Sequence, residues 1–180
     1  SALRTVLGDH VKQAGSLVSP EKLRFDFTHF YAMDNKELRE AEEIVNEKII
    51  ENLPVKTSWT NLDDAIAKGV TALFGEKYGE KVRVVKAGDF TAELCGGTHC
   101  DATGEIGPFK IISEGSVAAG IRRIEAITGF TALEYIRAEE DELKKAANIL
   151  KVRELQVSEK LEKFISDLKS QEKELEKAKS

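Results

Sequence analysis

All thirteen glycines and all three prolines lie in residues 1–130, and residues 131–180 contain neither. Glycine and proline are the residues that most disfavour a continuous helix, so their complete absence leaves 131–180 free to form one. Of those fifty positions 23 are charged, 11 basic and 12 acidic, the balance of a solvated helical surface. The chain therefore reads as two parts: a compact domain over residues 1–130 and a helical extension over 131–180.

Within the extension, Leu133, Ile136, Leu143, Ala147 and Leu150 form an apolar stripe. Val157, Leu161, Phe164, Leu168 and Leu175 then recur at alternating spacings of four and three, with Gln171 in the one polar slot. Such a heptad seam needs a partner helix. Residues 131–152 folded back, a second copy of the chain, or a segment outside this sequence would each serve.

The first part mixes two periodicities. Ser1 to about Gln13 reads as a helix, with Leu3, Val6, Leu7 and His10 or Val11 on one face; it lacks a capping residue and so reads as the end of a longer helix. Asp34 followed by Glu37 is a capping-box pattern that opens a second helix to about Asn52. Asn61 caps a short third helix ending at Gly69. Strands are expected at Leu23–Phe27, Val55–Trp59, Lys81–Lys86, Phe90–Leu94, Phe109–Ser113 and Ile121–Thr128. This is an α+β domain with a mainly antiparallel sheet packed with helices, followed by a long α-helical, coiled-coil-like extension.

Composition excludes several classes. Apolar runs such as Val117-Ala118-Ala119 are far too short to cross a bilayer, so no membrane partner is expected. Arg4, Asp9 and Lys12 interrupt anything like a signal peptide. The two cysteines, Cys95 and Cys100, share one polar loop and read as reduced thiols of the cytosol. A net charge of −5 argues against bulk electrostatic binding of nucleic acid, which leaves a local basic edge as the route. Arg122 and Arg123, with Lys110, are the candidates for that edge. Neighbouring strand residues point to opposite faces, so at most one of the two arginines meets a given ligand and the other pairs with Glu125 or another acid. No phosphate-binding glycine loop and no nucleophile triad are present.

The segment with most chemistry is Cys95-Gly96-Gly97-Thr98-His99. A thiolate and an imidazole four positions apart across two glycines can grip one zinc ion, although zinc wants four ligands. The alternative is a buried thiol beside a loop histidine. His10, on the first helix, and His29, at a turn, do not complete a site.

Several motifs in register resemble alanyl-tRNA synthetase. They are Leu7-Gly8-Asp9-His10-Val11-Lys12-Gln13, Gly15-Ser16-Leu17-Val18, Leu23-Arg24-Phe25-Asp26-Phe27 and Ala72-Leu73-Phe74-Gly75-Glu76-Lys77-Tyr78. Glu93-Leu94-Cys95-Gly96-Gly97-Thr98-His99, Thr103-Gly104-Glu105-Ile106-Gly107 and Arg122-Arg123-Ile124-Glu125-Ala126 extend the match. The resemblance covers about residues 1–135 as that family's editing domain, and the rest is similar to the start of its helical, dimerising C-terminal region. It implies hydrolysis of the ester in alanine tRNA mischarged with serine or glycine. It implies zinc held by Cys95 and His99 together with an H-x-x-x-H pair, which lies just before the family's counterpart of Ser1 and is absent here. It also implies that Gln13 lines the editing pocket. The expected consequences are alanine tRNA as partner, a homodimer through 131–180, and weak zinc binding and deacylation by these 180 residues alone. A tRNA-binding or dimerising piece without catalysis is the alternative.

Overall fold

The computed structural model describes residues 1–71 and 78–179, so the motif residues Ala72 to Lys77 lie outside the described residues. The chain forms two compact units, Ser1–Leu133 and Glu134–Ser180. The first is an α+β fold, and the extension is helical, as expected from the sequence.

In the first unit, α1 (Ala2–Leu7) leads to β1 (Gln13–Val18), β2 (Leu23–Thr28) and α2 (Asn35–Ile50). There follow β3 (Val55–Asn61), α3 (Leu62–Ala67), β4 (Lys81–Ala87), β5 (Thr91–Leu94), a short 3-10 turn at Thr103–Ile106, β6 (Phe109–Ala118) and β7 (Ile121–Thr128). The strands form two antiparallel sheets, one in the order β1-β2-β7-β6 and one in the order β3-β4-β5.

The expected first helix is too long by half. It stops at Leu7, because Gly8 turns at a φ of 107° that a residue with a Cβ resists, and its amide bonds back to the Arg4 carbonyl. His10 therefore lies beyond the helix, and Gln13 opens a strand that pairs with Phe27. β6 also runs on to Ala118, held by β7 through two register shifts.

α2 starts as its capping box dictates. The Asp34 carboxylate accepts from the Lys36 and Glu37 amides, and Glu37 accepts from the Asp34 amide. The same helix protects the free edge of β6. Asn46 donates to the Phe109 carbonyl at 2.8 Å and accepts from its amide at 2.9 Å, and the Glu42 carboxylate accepts from the Ile111 amide. Those backbone groups would otherwise be left unpaired at an exposed strand edge. Phe27, fully buried, anchors the main core with Val11, Met33, Ala41, Ile124 and Ala126. A smaller cluster of Ala65, Val82, Val84 and Leu94 lies on one face of the second sheet.

The second unit holds most of α4 (Gly129–Leu150), then a short 3-10 turn and α5 (Val157–Lys179). Lys151, at a φ of 54°, marks the break between the helices. Ala147 and Val157 are buried at that turn, but every described residue from Leu161 onward is exposed. Residues 131–152 therefore leave the heptad seam from Leu161 onward uncovered.

Candidate functional site

Alternate residues of a strand share a face, so Thr91 and Glu93 lie on one side of β5, while Ala92 and Leu94 face the smaller cluster and Cys95 opens the loop that follows. Thr91 and Glu93 line a cavity of about 610 Å³ bounded by both sheets, which neither Cys95 nor His99 lines. Its walls are mostly apolar, with Phe25, Val45 and Phe109 among them, and Gln13 lines it from the start of β1. The Gln13 amide donates to Ser16 Oγ at 3.1 Å, so the side chain is held at the wall.

At the end of β5 the two glycines turn the chain and bring His99 Nε2 to 3.2 Å from Cys95 Sγ. Zinc–sulfur and zinc–nitrogen bonds of about 2.3 and 2.0 Å at a tetrahedral angle separate the two ligand atoms by about 3.5 Å. The pair fits one zinc ion after a small opening. Among the described residues no group of three or more histidine, cysteine or acidic side chains is gathered to hold a metal, so a zinc ion on this pair would need further ligands. The other two histidines face each other, His10 Nε2 lying 2.9 Å from His29 Nδ1. Cys95 and Cys100 are both free thiols.

Partial desolvation of the ring, and next the Arg83 guanidinium, push the His99 imidazole below its ordinary value of 6.5, while Glu93 pulls the other way. The neutral ring is the form that binds metal. A depressed histidine value contributes stability above 6.5 that is lost as pH falls through the lower folded value. His99→Gln is therefore expected to flatten the acid side of the stability curve below pH 6.5. A chemical-denaturation series from pH 7.5 to 5 checks it, and an unchanged slope would overturn it.

The two arginines of β7 point to opposite faces, as alternation requires, and both already have acidic partners. Arg122 makes a two-pronged pair with Glu114, at 2.5 and 2.6 Å. Arg123 does the same with Asp26, at 2.7 and 2.9 Å. The acids are thus others than Glu125, which binds Lys22 and Ser113. The Arg123 hydrogen bonds hold the Asp26 carboxyl below the usual 3.8.

Sequence reasoning missed Arg83, Thr91 and Glu93. The signal for two of them was present, since positions 91 and 93 must share a face once Phe90–Leu94 is read as a strand.

Comparison with known proteins accords with this architecture. Residues 82–125, from β4 through most of β7, match the family described as the threonyl and alanyl tRNA synthetase second additional domain. The first unit thus carries a domain of the aminoacyl-tRNA synthetase class. The chain is also 55% identical to the alanine–tRNA ligase of Carboxydothermus hydrogenoformans over 97% of its length, and 52% identical to that of Fervidobacterium nodosum over 99%. Identity to the Desulfitobacterium hafniense alanine–tRNA ligase is 58% over 84% of the chain. Over nearly its whole length the chain is similar to one segment of the alanine–tRNA ligases, as its motifs imply, and it spans about a fifth of these relatives' length, from 17% to 21%.

Proposed function

We propose that the first unit is the editing portion of an alanine–tRNA ligase, hydrolysing the ester that joins serine or glycine to alanine tRNA. The observation that carries this reading is the Cys95–His99 pair, 3.2 Å apart, in the loop that leaves β5 two residues after the cavity-lining Glu93. In the reaction water adds to the ester carbonyl, the bond to the ribose oxygen breaks, and the amino acid leaves as a carboxylate. Zinc, when bound, supplies Lewis-acid polarisation. Cys95 and His99 would hold it, with the remaining ligands coming from residues outside these 180.

The chain's own residues do the sorting. Apolar walls exclude water, so a serine hydroxyl entering the cavity must find a partner among Gln13, Thr91 and Glu93. A site able to hydrogen-bond that hydroxyl favours serine over alanine far more than an apolar pocket could disfavour serine. Deacylation of seryl-tRNA by this chain, with zinc added, tests the reading. Slow hydrolysis that falls to the uncatalysed rate in Cys95→Ala is expected. Equal rates for Cys95→Ala and the parent would sink it.

The second unit favours a further reading, as a dimerisation element through residues 131–180. Leu161, Phe164, Leu168 and Leu175 are 45%, 43%, 58% and 56% exposed, an apolar seam that water does not favour. Sedimentation is expected to show concentration-dependent association that disappears when 151–180 are removed. A monomer at all concentrations overturns it.

A further inference from the structure

Arg83 sits on β4 directly across the ladder from Cys95, whose amide donates to the Arg83 carbonyl at 3.2 Å. Its side chain then reaches past the end of β5 into the loop. One guanidinium nitrogen, Nη1, donates to the Cys95 carbonyl at 2.8 Å and to the Gly97 carbonyl at 2.5 Å. The other, Nη2, reaches Thr57 Oγ1 on β3 at 3.4 Å. A single half-buried side chain on β4 therefore ties β3 to two carbonyls of the loop that follows β5, one on either side of Gly96.

We infer that Arg83 is a positioning residue whose two-carbonyl clamp holds the Cys95–His99 pair in its ligand geometry. This rests on the metal reading of that pair. A Cys-Gly-Gly-Thr-His loop left to itself is costly to order, because each glycine samples both signs of φ. Neither Gly96 nor Gly97 has a positive φ here, and a Cβ built on Gly96 would meet nothing within 4 Å. Local sterics therefore do not hold the loop, and the clamp does. With the carbonyls of residues 95 and 97 fixed, the Cys95 side chain leaves the backbone toward His99. A chelate formed from two preordered ligands avoids the ordering cost on binding. Partners of this kind behind a metal ligand typically change affinity ten- to hundredfold when removed.

Lysine at position 83 would keep the charge but lose the second guanidinium nitrogen, Nη2, whose bond to Thr57 Oγ1 braces the side chain against β3 while Nη1 meets the two carbonyls. The test uses the 180-residue chain in a Cys100→Ser background, with cobalt(II) alone as the metal probe and the sulfur-to-cobalt absorption band as readout. Both Arg83→Gln and Arg83→Lys are expected to weaken cobalt binding about ten- to hundredfold. Arg83→Lys carries the test should Arg83→Gln not melt cooperatively. Parent-like cobalt affinity in Arg83→Lys overturns the clamp, since charge alone would then suffice.

A metal-free arm separates the clamp from the metal assignment. Alkylation of Cys95 is expected to speed up several-fold in Arg83→Lys as the loop loosens, and an unchanged rate overturns the proposal. Should the parent show no cobalt band at all, the metal reading of Cys95 and His99 falls, and the alkylation rates still decide the clamp.

Discussion

Replacing Cys95 with alanine lowers zinc affinity at least a hundredfold, whereas Cys100→Ala leaves it within about twofold. The difference is expected because the two thiols sit in one loop yet only one faces an imidazole. Cys95 Sγ lies 3.2 Å from His99 Nε2, close to the separation that one tetrahedral ion imposes. Removing it leaves a lone imidazole ligand, since His10 and His29 face each other and the described residues gather no other metal-binding group. A single exposed histidine holds zinc only weakly. Competition against a chromophoric chelator at pH 7.5 measures both variants, and equal losses in the two would remove Cys95 from the site.

How much of this was legible beforehand depends on how local each cause is. The capping box at Asp34 and Glu37 is written within four residues, and the structure forms both of its hydrogen bonds. The break between a glycine-bearing domain and a glycine-free extension is likewise a matter of composition. β1 was not legible, because Gln13-Ala14-Gly15-Ser16-Leu17-Val18 has neither clear alternation nor strong strand formers. It becomes a strand only by pairing with β2, a contact that the α1 periodicity masked. The Cys95–His99 pair was visible as a motif, while the hydrogen bond to its loop from Arg83, twelve residues away, depends on the register of β4 against β5. The arginine partners were hidden for the same reason. Alternation predicts that Arg122 and Arg123 diverge, but only the sheet order puts Glu114 beside one and Asp26 beside the other.

Those pairs set the second large effect. Arg122→Gln is expected to cost about 3 kcal/mol of stability, because it strands Glu114, whose side chain is 7% exposed, without a counter-charge. The Arg122 side chain is itself 14% exposed, so water screens this pair little, and added salt should not mimic the substitution. Replacing both members together removes the stranded charge. Arg122→Leu with Glu114→Leu should therefore recover most of the loss, because a buried pair gains little over apolar side chains of similar volume. Urea unfolding of the parent, Arg122→Leu, Glu114→Leu and the double variant measures this cycle, with Arg122→Gln run beside it. The same variants separate a structural arginine from one that binds RNA. The double variant should bind alanine tRNA as the parent does and with the same salt dependence, since a guanidinium already held by two carboxylate oxygens has little left for a phosphate. Were the double variant stable but an order of magnitude weaker for tRNA, Arg122 would be a phosphate ligand, with Glu114 holding it ready.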